Sequence, residues 1–433
     1  MELGSEVLWY GVPLALAVGG YALTRRRTEK RSLALKAAAV EAGLDEPPTL
    51  HPVIDPLKCI GCGACTRACP EGDVLGLIKG KAELVTPSEC IGHGACRAAC
   101  PVGAITLVFG TARRGIDLPQ VGPDFQTNVP GLYVAGELGG MGLIRNAVEQ
   151  GRQAVDEIAR RPRARGAEYD LIIVGAGPAG FSASLAARQK GLNVITLEQD
   201  VLGGAVAHYP RGKLVMSSPA KLPGFGAITR GDISKEDLLR YWNDLAAKAR
   251  LPVAYEERVD AIERDGALFR VSSRGGVRTA SSVLLCVGRR GSPRRLGAPG
   301  EDLSKVVYRM VDPRQYAGRR VLVVGGGDSA LEAAAALAEE TDAAVTLSYR
   351  GSAFQRSKPR NRDRVDALAG RHRIDLRLGS EVAAIEPDRV VLTRGETREA
   401  IANDVVIICA GGVLPTALLT AAGIRMETKF GEA

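Results

Sequence analysis

Eight positions between residues 59 and 100 have the types and spacing to bind metal. The first run reads Cys59-Ile-Gly-Cys62-Gly-Ala-Cys65-Thr-Arg-Ala-Cys69-Pro70, and the second Cys90-Ile-Gly-His93-Gly-Ala-Cys96-Arg-Ala-Ala-Cys100-Pro101. Two-residue gaps let three donors converge on three irons of one cubane. The helix that follows carries the fourth Cys over to a second cluster. Cys59, Cys62, Cys65 and Cys100 are then expected to hold one [4Fe–4S] cluster. Cys90, Cys96 and Cys69 hold the other, with His93 at the remaining place. A double run ending in Pro is not a zinc spacing. At His93 three readings stay open: it ligates the fourth iron, that iron is lost to leave [3Fe–4S], or the ring stands beside an iron with an open position.

Two glycine loops carry a different chemistry. Asp170-Leu-Ile-Ile-Val-Gly175-Ala-Gly177-Pro178-Ala179-Gly180 is a short apolar strand, a G-x-G-x-x-G turn and the start of a helical pattern. Glu198 closes the next strand, Asn193-Val-Ile-Thr-Leu197. Such a turn brings a pyrophosphate to a helix N-terminus while the acid takes ribose hydroxyls. Arg320-Val-Leu-Val-Val-Gly325-Gly-Gly327-Asp328-Ser329-Ala330 repeats the design with Ala in the third glycine's place. Its second strand ends at Arg350 instead of an acid, and Arg356, Lys358 and Arg360 follow. A missing acid with nearby cations favours a 2′-phosphate, hence NADP(H) over NAD(H). An unselective basic loop is the alternative.

The cysteine spacing resembles that of bacterial two-cluster ferredoxins. Two dinucleotide loops in this order resemble the thioredoxin reductase-like flavoproteins, FAD first and NADPH second. Gly325-Gly-Gly-Asp-Ser-Ala330 and Leu347-Ser-Tyr-Arg-Gly-Ser-Ala-Phe-Gln-Arg356 are similar to bacillithiol disulfide reductase-type and ferredoxin–NADP reductase-type members. The resemblance implies that Gly203-Gly204 lies beside the flavin ring. It also implies that Thr127-Asn-Val-Pro-Gly-Leu-Tyr-Val-Ala-Gly136-Glu137 is the second FAD motif, with Glu137 on the ribityl chain. Asn146 then opens a helix whose N-terminus faces the ring. In the family that motif comes last; here it precedes the first glycine loop, so the chain reads as a circular permutation. A domain-swapped homodimer, each chain completing its neighbour, is the other route. The redox C-x-x-C of thioredoxin reductases is missing from Val307-Tyr-Arg-Met-Val-Asp-Pro313. Cys286 and Cys409 end apolar strands and are read as core, and His208 as a turn residue.

These sites need elements to hold them. The chain has 433 residues, enough for several domains, and its Gly-rich, aromatic-poor composition suits α/β folds with many tight strand-to-helix turns. The expected class is α/β: two Rossmann-like dinucleotide-binding domains, a small α+β ferredoxin domain and an N-terminal transmembrane helix. The expected division is 1–50 anchor and tether, 51–109 ferredoxin, 110–165 permuted FAD segment, 166–290 FAD domain, 291–403 NAD(P) domain and 404–433 return segment. The anchor rests on the apolar run Val7–Leu23 between Glu6 and a basic flank beginning at Arg25. That charge order places the body on the cytoplasmic side of a single-pass span. The net charge is +8, and basic residues concentrate at Arg25–Arg31, Arg160–Arg165 and Arg350–Arg364 without the interleaved aromatics that single-strand binding favours. They are read as a membrane flank, a linker and a phosphate-binding loop, with nucleic acid a weak alternative and no nucleic-acid partner expected.

The implied activity is electron transfer between NAD(P)H and the clusters through FAD, with a redox protein or quinone-linked acceptor beyond. The flavin does the chemistry, and no side-chain acid or base is expected to be catalytic. A redox sensor or docking subunit of a membrane complex and a thiol/disulfide reductase are the alternatives.

Overall fold

The computed structural model describes residues 3–47, 50–140, 142–209, 211–216, 220–228, 233–289, 291–355 and 357–431. The chain forms two compact units. One comprises Met1–Gly115, Ala353–Pro359 and Phe430–Ala433, and the other Ile116–Ser352 and Arg360–Lys429.

The first unit begins with a long helix, α1 (Leu3–Glu41). Then come β1 (His51–Ile54), α2 (Ala64–Ala68), β2 (Leu75–Ile78), β3 (Lys81–Leu84), α3 (Ala95–Ala98) and β4 (Ile105–Val108). β1 pairs antiparallel with β4 and β2 with β3. The core between them consists of Cys59, Cys65, Cys96, Leu75, Ala82, Ala104 and Ile105. Five thiol or small apolar groups among these seven show why so small a module needs metal: little apolar area is available to bury. The stretch after residue 24, expected to be a tether, is helix as far as Glu41. It packs along β2, with Lys36 Nζ 2.6 Å from Glu83, Arg31 paired to Asp73, and Glu29 accepting the Lys79 N–H at 2.7 Å.

The expected transmembrane helix, the membrane as partner and the single-pass membrane localisation are corrected here. Among the described residues no helix is long and apolar enough to cross a membrane. The physical reason is visible in α1. Its apolar run of 17 residues gives roughly 26 Å of helix, short of a hydrocarbon core of about 30 Å. Gly11, Pro13, Gly19 and Gly20 dilute it further.

The second unit holds two main sheets, the larger parallel around its centre but with two antiparallel pairings at one edge, the smaller parallel throughout. In the larger, β7 (Tyr169–Val174) lies between β8 (Val194–Leu197) and the strand Gly276–Leu285. Leu171, Ile172 and Ile173 are fully buried, as are Val283, Leu284 and Leu285. Such unbroken apolar runs belong to strands covered on both faces, the hallmark of a parallel sheet between helices. β5 (Ile116–Pro119) pairs antiparallel with Met426–Lys429. β6 (Leu132–Val134) joins Gly276–Leu285 in parallel, Leu132 opposite Val283 and Val134 opposite Leu285. α4 (Ile144–Ile158) packs on α5 (Pro178–Gln189), the helix that follows β7. β6 is thus a strand of the sheet that contains β7, and α4 packs on the helix that follows β7. α6 (Lys235–Ala249), capped by the Ser234 side chain on the Asp237 N–H, covers the same core through Leu238 and Trp242.

The smaller sheet has five parallel strands in the order Val306–Val307, Val405–Ile408, Arg320–Val324, Ala344–Tyr349, Ile374–Leu378. α7 (Asp328–Glu340) and α8 (Pro359–Gly370) belong to it, and the hairpins of Glu381–Ala402 flank it. The architecture is mixed α/β with two Rossmann-like sheets.

Candidate functional site

The two cysteine runs fold into matching turns. Gly63 and Gly94, the residues before α2 and α3, are both left-handed, at φ 70° and 78°. Each turn wraps its donors around a cavity. The first is lined by Cys59, Cys62, Cys65 and Cys100 with Ile54, Ile60, Ala82 and Ile105. The second is lined by Cys90, Cys96, Cys69 and His93 with Pro52, Leu75 and Leu107. Each wall therefore draws its fourth donor from the other run.

This donor set fits clusters better than single ions. Among the described residues no three His, Cys, Asp or Glu side chains form a group that could hold one metal ion. Donors spread over the walls of an apolar cavity suit a larger inorganic core. Burial pushes the thiols of Cys65, Cys69 and Cys96 up, and that of Cys90 up to about 11. Without a cation they would hold their protons; a bound metal replaces them. The Ala104 N–H donates to Cys100 Sγ at 3.3 Å. His93 Nδ1 accepts the Ala95 N–H at 3.1 Å, and Nε2 stands 3.7 Å from Cys69 Sγ. Cys62 is exposed, whereas Cys90 and Cys96 are buried.

In the larger sheet, β7 ends at Gly175 and α5 begins at Pro178, so Gly175–Gly180 is a strand-to-helix turn. A Cβ on Gly180 would lie 1.8 Å from the Gly175 carbonyl oxygen, so only glycine closes this turn. A Cβ on Gly177 would meet nothing within 4 Å, which leaves room for a phosphate above the helix N-terminus. Glu198, at the end of β8, is 4% exposed. Its carboxylate accepts the Ala176 N–H at 2.6 Å and the Asp200 N–H at 2.9 Å. Burial raises its pKa in spite of those donors. The Gly203 N–H reaches the Ala176 carbonyl at 3.0 Å, and Gly204 lies against Gly177.

The second motif meets the same loop although it precedes it in the chain. A Cβ on Gly151 of α4 would sit 2.0 Å from the Ala179 carbonyl oxygen, so the two helices cross with backbone in contact. Gly136 follows β6 beside Ala179, its N–H donating to Gln150 at 2.8 Å. Glu137 comes next, near Gly288 and the half-buried Arg289. Asn146 is half-buried in the first turn of α4. Gln150 and Arg289 escaped the sequence reading. Gln150 shows no signal beyond an ordinary helical polar residue, and Arg289 is one Arg after a strand.

In the smaller sheet the turn Gly325–Gly327 joins Arg320–Val324 to α7. Gly327 again faces open space, Ala330 is fully buried and Ser329 is exposed. Asp328 accepts from Asn361 Nδ2 at 2.7 Å. The Tyr349 ring lies against both Gly326 and Gly351, 2.4 Å from where a Gly326 Cβ would stand. Arg350 is exposed at the end of Ala344–Tyr349. Arg356 lies outside the described residues. Residues Ala353–Pro359 belong to the first unit. Cys286 is fully buried, which pushes its thiol far up, so it is a core residue.

Known proteins share both parts. Residues 172–431, more than half of the chain, match the family described as pyridine nucleotide-disulphide oxidoreductase, and residues 51–101 match the 4Fe-4S dicluster domain. A ferredoxin–NADP reductase of Thermus thermophilus is 30% identical over 60% of this chain and 77% of its own length. One from Ignicoccus hospitalis is 32% identical over 43% of this chain, but the match spans only 58% of that protein. Bacilliredoxin reductase Bdr of Bacillus subtilis is 27% identical over 60% and 82%. Among solved structures, the bacillithiol disulfide reductase Bdr (YpdA) of Staphylococcus aureus superposes with a TM-score of 0.54 at 25% identity. It covers 59% of this chain and 80% of that one.

Proposed function

This chain belongs to the pyridine nucleotide-disulphide oxidoreductase family, and from that premise we propose that it carries electrons between NADPH and two iron–sulfur clusters through FAD. It is an FAD-dependent pyridine nucleotide oxidoreductase fused to a 4Fe-4S domain. The coupling, its partner and the residue roles are our reading. When bound, FAD exchanges a hydride with the nicotinamide and single electrons with the clusters, chemistry that no side chain here supplies.

The residues bind and orient. The N–H groups at the start of α5 and the open face of Gly177 receive the FAD pyrophosphate. Glu198 takes the ribose hydroxyls while its own hydrogen bonds hold the loop shut. Glu137 reaches the ribityl chain, and the first turn of α4, with Asn146, faces the ring beside Gly203-Gly204. The start of α7, with Gly327, Asp328 and Ser329, receives the nicotinamide dinucleotide, and Arg350 its 2′-phosphate. Cys59, Cys62, Cys65 and Cys100 hold one cluster, and Cys69, Cys90 and Cys96 the second. The chain order of the FAD domain is a circular permutation, its second motif moved ahead of the first.

The observation that carries this reading is the pair of cavities, each completed by a Cys of the other run, in one chain with two strand–glycine–helix turns. Dithiol exchange has less support. No C-x-x-C lies in the smaller sheet's domain, and Cys286 is sealed in the core. The test is an anaerobic titration with NADPH and then NADH, following flavin absorbance and cluster EPR together. NADPH should bleach the flavin and then raise a reduced-cluster signal. Flavin reduction with clusters that stay silent under every reductant would end the proposal.

A further inference from the structure

Resting on the two-cluster reading above, we propose that His93 is a hydrogen-bond donor to the Cys69 sulfur and not an iron ligand. The second cluster is then held by three thiolates, and its fourth iron is a site for a small exogenous donor such as a thiolate or cyanide.

The repeat sets up the comparison. His93 stands where Cys62 stands in the first run, and the backbone around both is alike. Gly61 and Gly92 are left-handed at φ 69° and 74°, as are Gly63 and Gly94. A side chain at 93 therefore starts from the same place as a proven type of ligand, and what differs is where its nitrogens go.

Both are committed. A backbone amide can only donate, so the Ala95 N–H at 3.1 Å makes Nδ1 the acceptor. A neutral imidazole whose Nδ1 accepts carries its proton on Nε2. Protonated Nε2 has no lone pair for iron, but it can donate to sulfur, and Cys69 Sγ lies 3.7 Å away. That distance argues independently. Terminal donors on two corners of one cubane diverge, so their atoms stand much farther apart than hydrogen-bonding partners. A ring this close to Cys69 Sγ is placed to donate to that sulfur. Among the groups lining the cavity, Glu71 is the remaining one with an oxygen donor side chain, and it serves no repeat position. The corner that Cys62 occupies in the first cluster thus has no repeat-encoded protein donor in the second.

Two properties follow. A hydrogen bond to a ligand sulfur draws off charge and raises the cluster's potential. An iron without a protein donor accepts small ligands from solution.

The test uses the full chain, anaerobic and reconstituted with iron and sulfide, as wild type, His93→Ala and His93→Cys. Histidine is labelled with ¹⁵N for pulsed EPR of the reduced protein, and cyanide is the added probe. Wild type should show no strongly coupled histidine nitrogen, and cyanide should alter the EPR of one cluster only. H93A should keep that response and its iron and sulfide content, with one of the two midpoint potentials lowered and the other unchanged. H93C should lose the cyanide response. A directly coupled histidine nitrogen in wild type overturns the proposal, as does a cyanide response that first emerges in H93A. Iron and acid-labile sulfide assays separate this failure from that of the two-cluster reading. If all three proteins lack sulfide after reconstitution, the premise itself has failed and the inference goes with it.

Discussion

The two dinucleotide turns share a spacing but differ in how they are closed. The first is closed by its own acid: Glu198 accepts the Ala176 N–H from inside the core, and Gly180 leaves no space for a methyl against the Gly175 carbonyl. The second has no such acid. Its loop is walled by the Tyr349 ring against Gly326, and Ala330 fits in the third glycine's place, fully buried. Gly175 has φ 98° and Gly325 φ 145°. A motif written with one pattern therefore closes in two ways, one turn on a buried acid and the other against a tyrosine ring.

The hardest way to break this contrast is Gly180→Val. Its side chain must displace backbone, so the protein should lose FAD and melt far earlier, by a destabilisation of about 3 kcal/mol or more. Flavin-to-protein absorbance and a thermal melt read it, and a variant that keeps full flavin would show that the turn is not closed by contact.

Next in size is Glu198→Ala. The buried Ala176 N–H loses its acceptor, at about 1–3 kcal/mol when left unsatisfied, the half-buried Asp200 N–H loses one that water replaces, and FAD affinity should fall. The same residue gives a pH signature. Burial holds its folded pKa above the ordinary 4.5, so the flavin-free native state binds this proton more tightly than the unfolded chain. The stability that proton contributes is full below 4.5 and declines as pH rises through the raised value. Denaturant titrations of flavin-free protein should show that decline, and Glu198→Gln should flatten it. Identical slopes in the two proteins would sink the assignment.

Arg350→Glu sharpens the contrast from the other side. Exchanging a cation for the acid of the first turn should cut kcat/KM for NADPH about tenfold to a hundredfold, with NADH little changed or improved. Equal losses for both nucleotides would mean that Arg350 does not read the 2′-phosphate. The smallest effect belongs to Ala330→Gly. Without a steric role for glycine there, it should cost only about 1 kcal/mol of helix stability and leave NADPH binding intact. Its distance from the effect of Gly180→Val measures how different the two turns are.

Much of the site could be read in the chain because its geometry is local. Cys59 to Cys69 and Cys90 to Cys100 each span about two turns of backbone, and the donors that line each cavity are those the spacing assigns. The glycine turns likewise depend on a strand and a helix adjacent in sequence. The N-terminal run misled the reading for a related reason. Flanking charge order was given more weight than the short length and the Gly and Pro content, which decide whether a helix can span a bilayer. What α1 does do, lie along β2 through Arg31, Lys36 and Glu29, depends on partners over forty residues away and leaves no periodic mark.

The sequence by itself determined which thiols line which cavity and where the two strand–glycine–helix turns stand. Those follow from short-range stereochemistry, which residue type and spacing encode directly. Only the tertiary structure decided how Gly136 comes beside Ala179, how Gly151 lets α4 touch the same residue, and where the two nitrogens of His93 point. Those depend on surfaces and hydrogen bonds between segments distant in sequence or on the orientation of one ring, and no spacing along the chain records them.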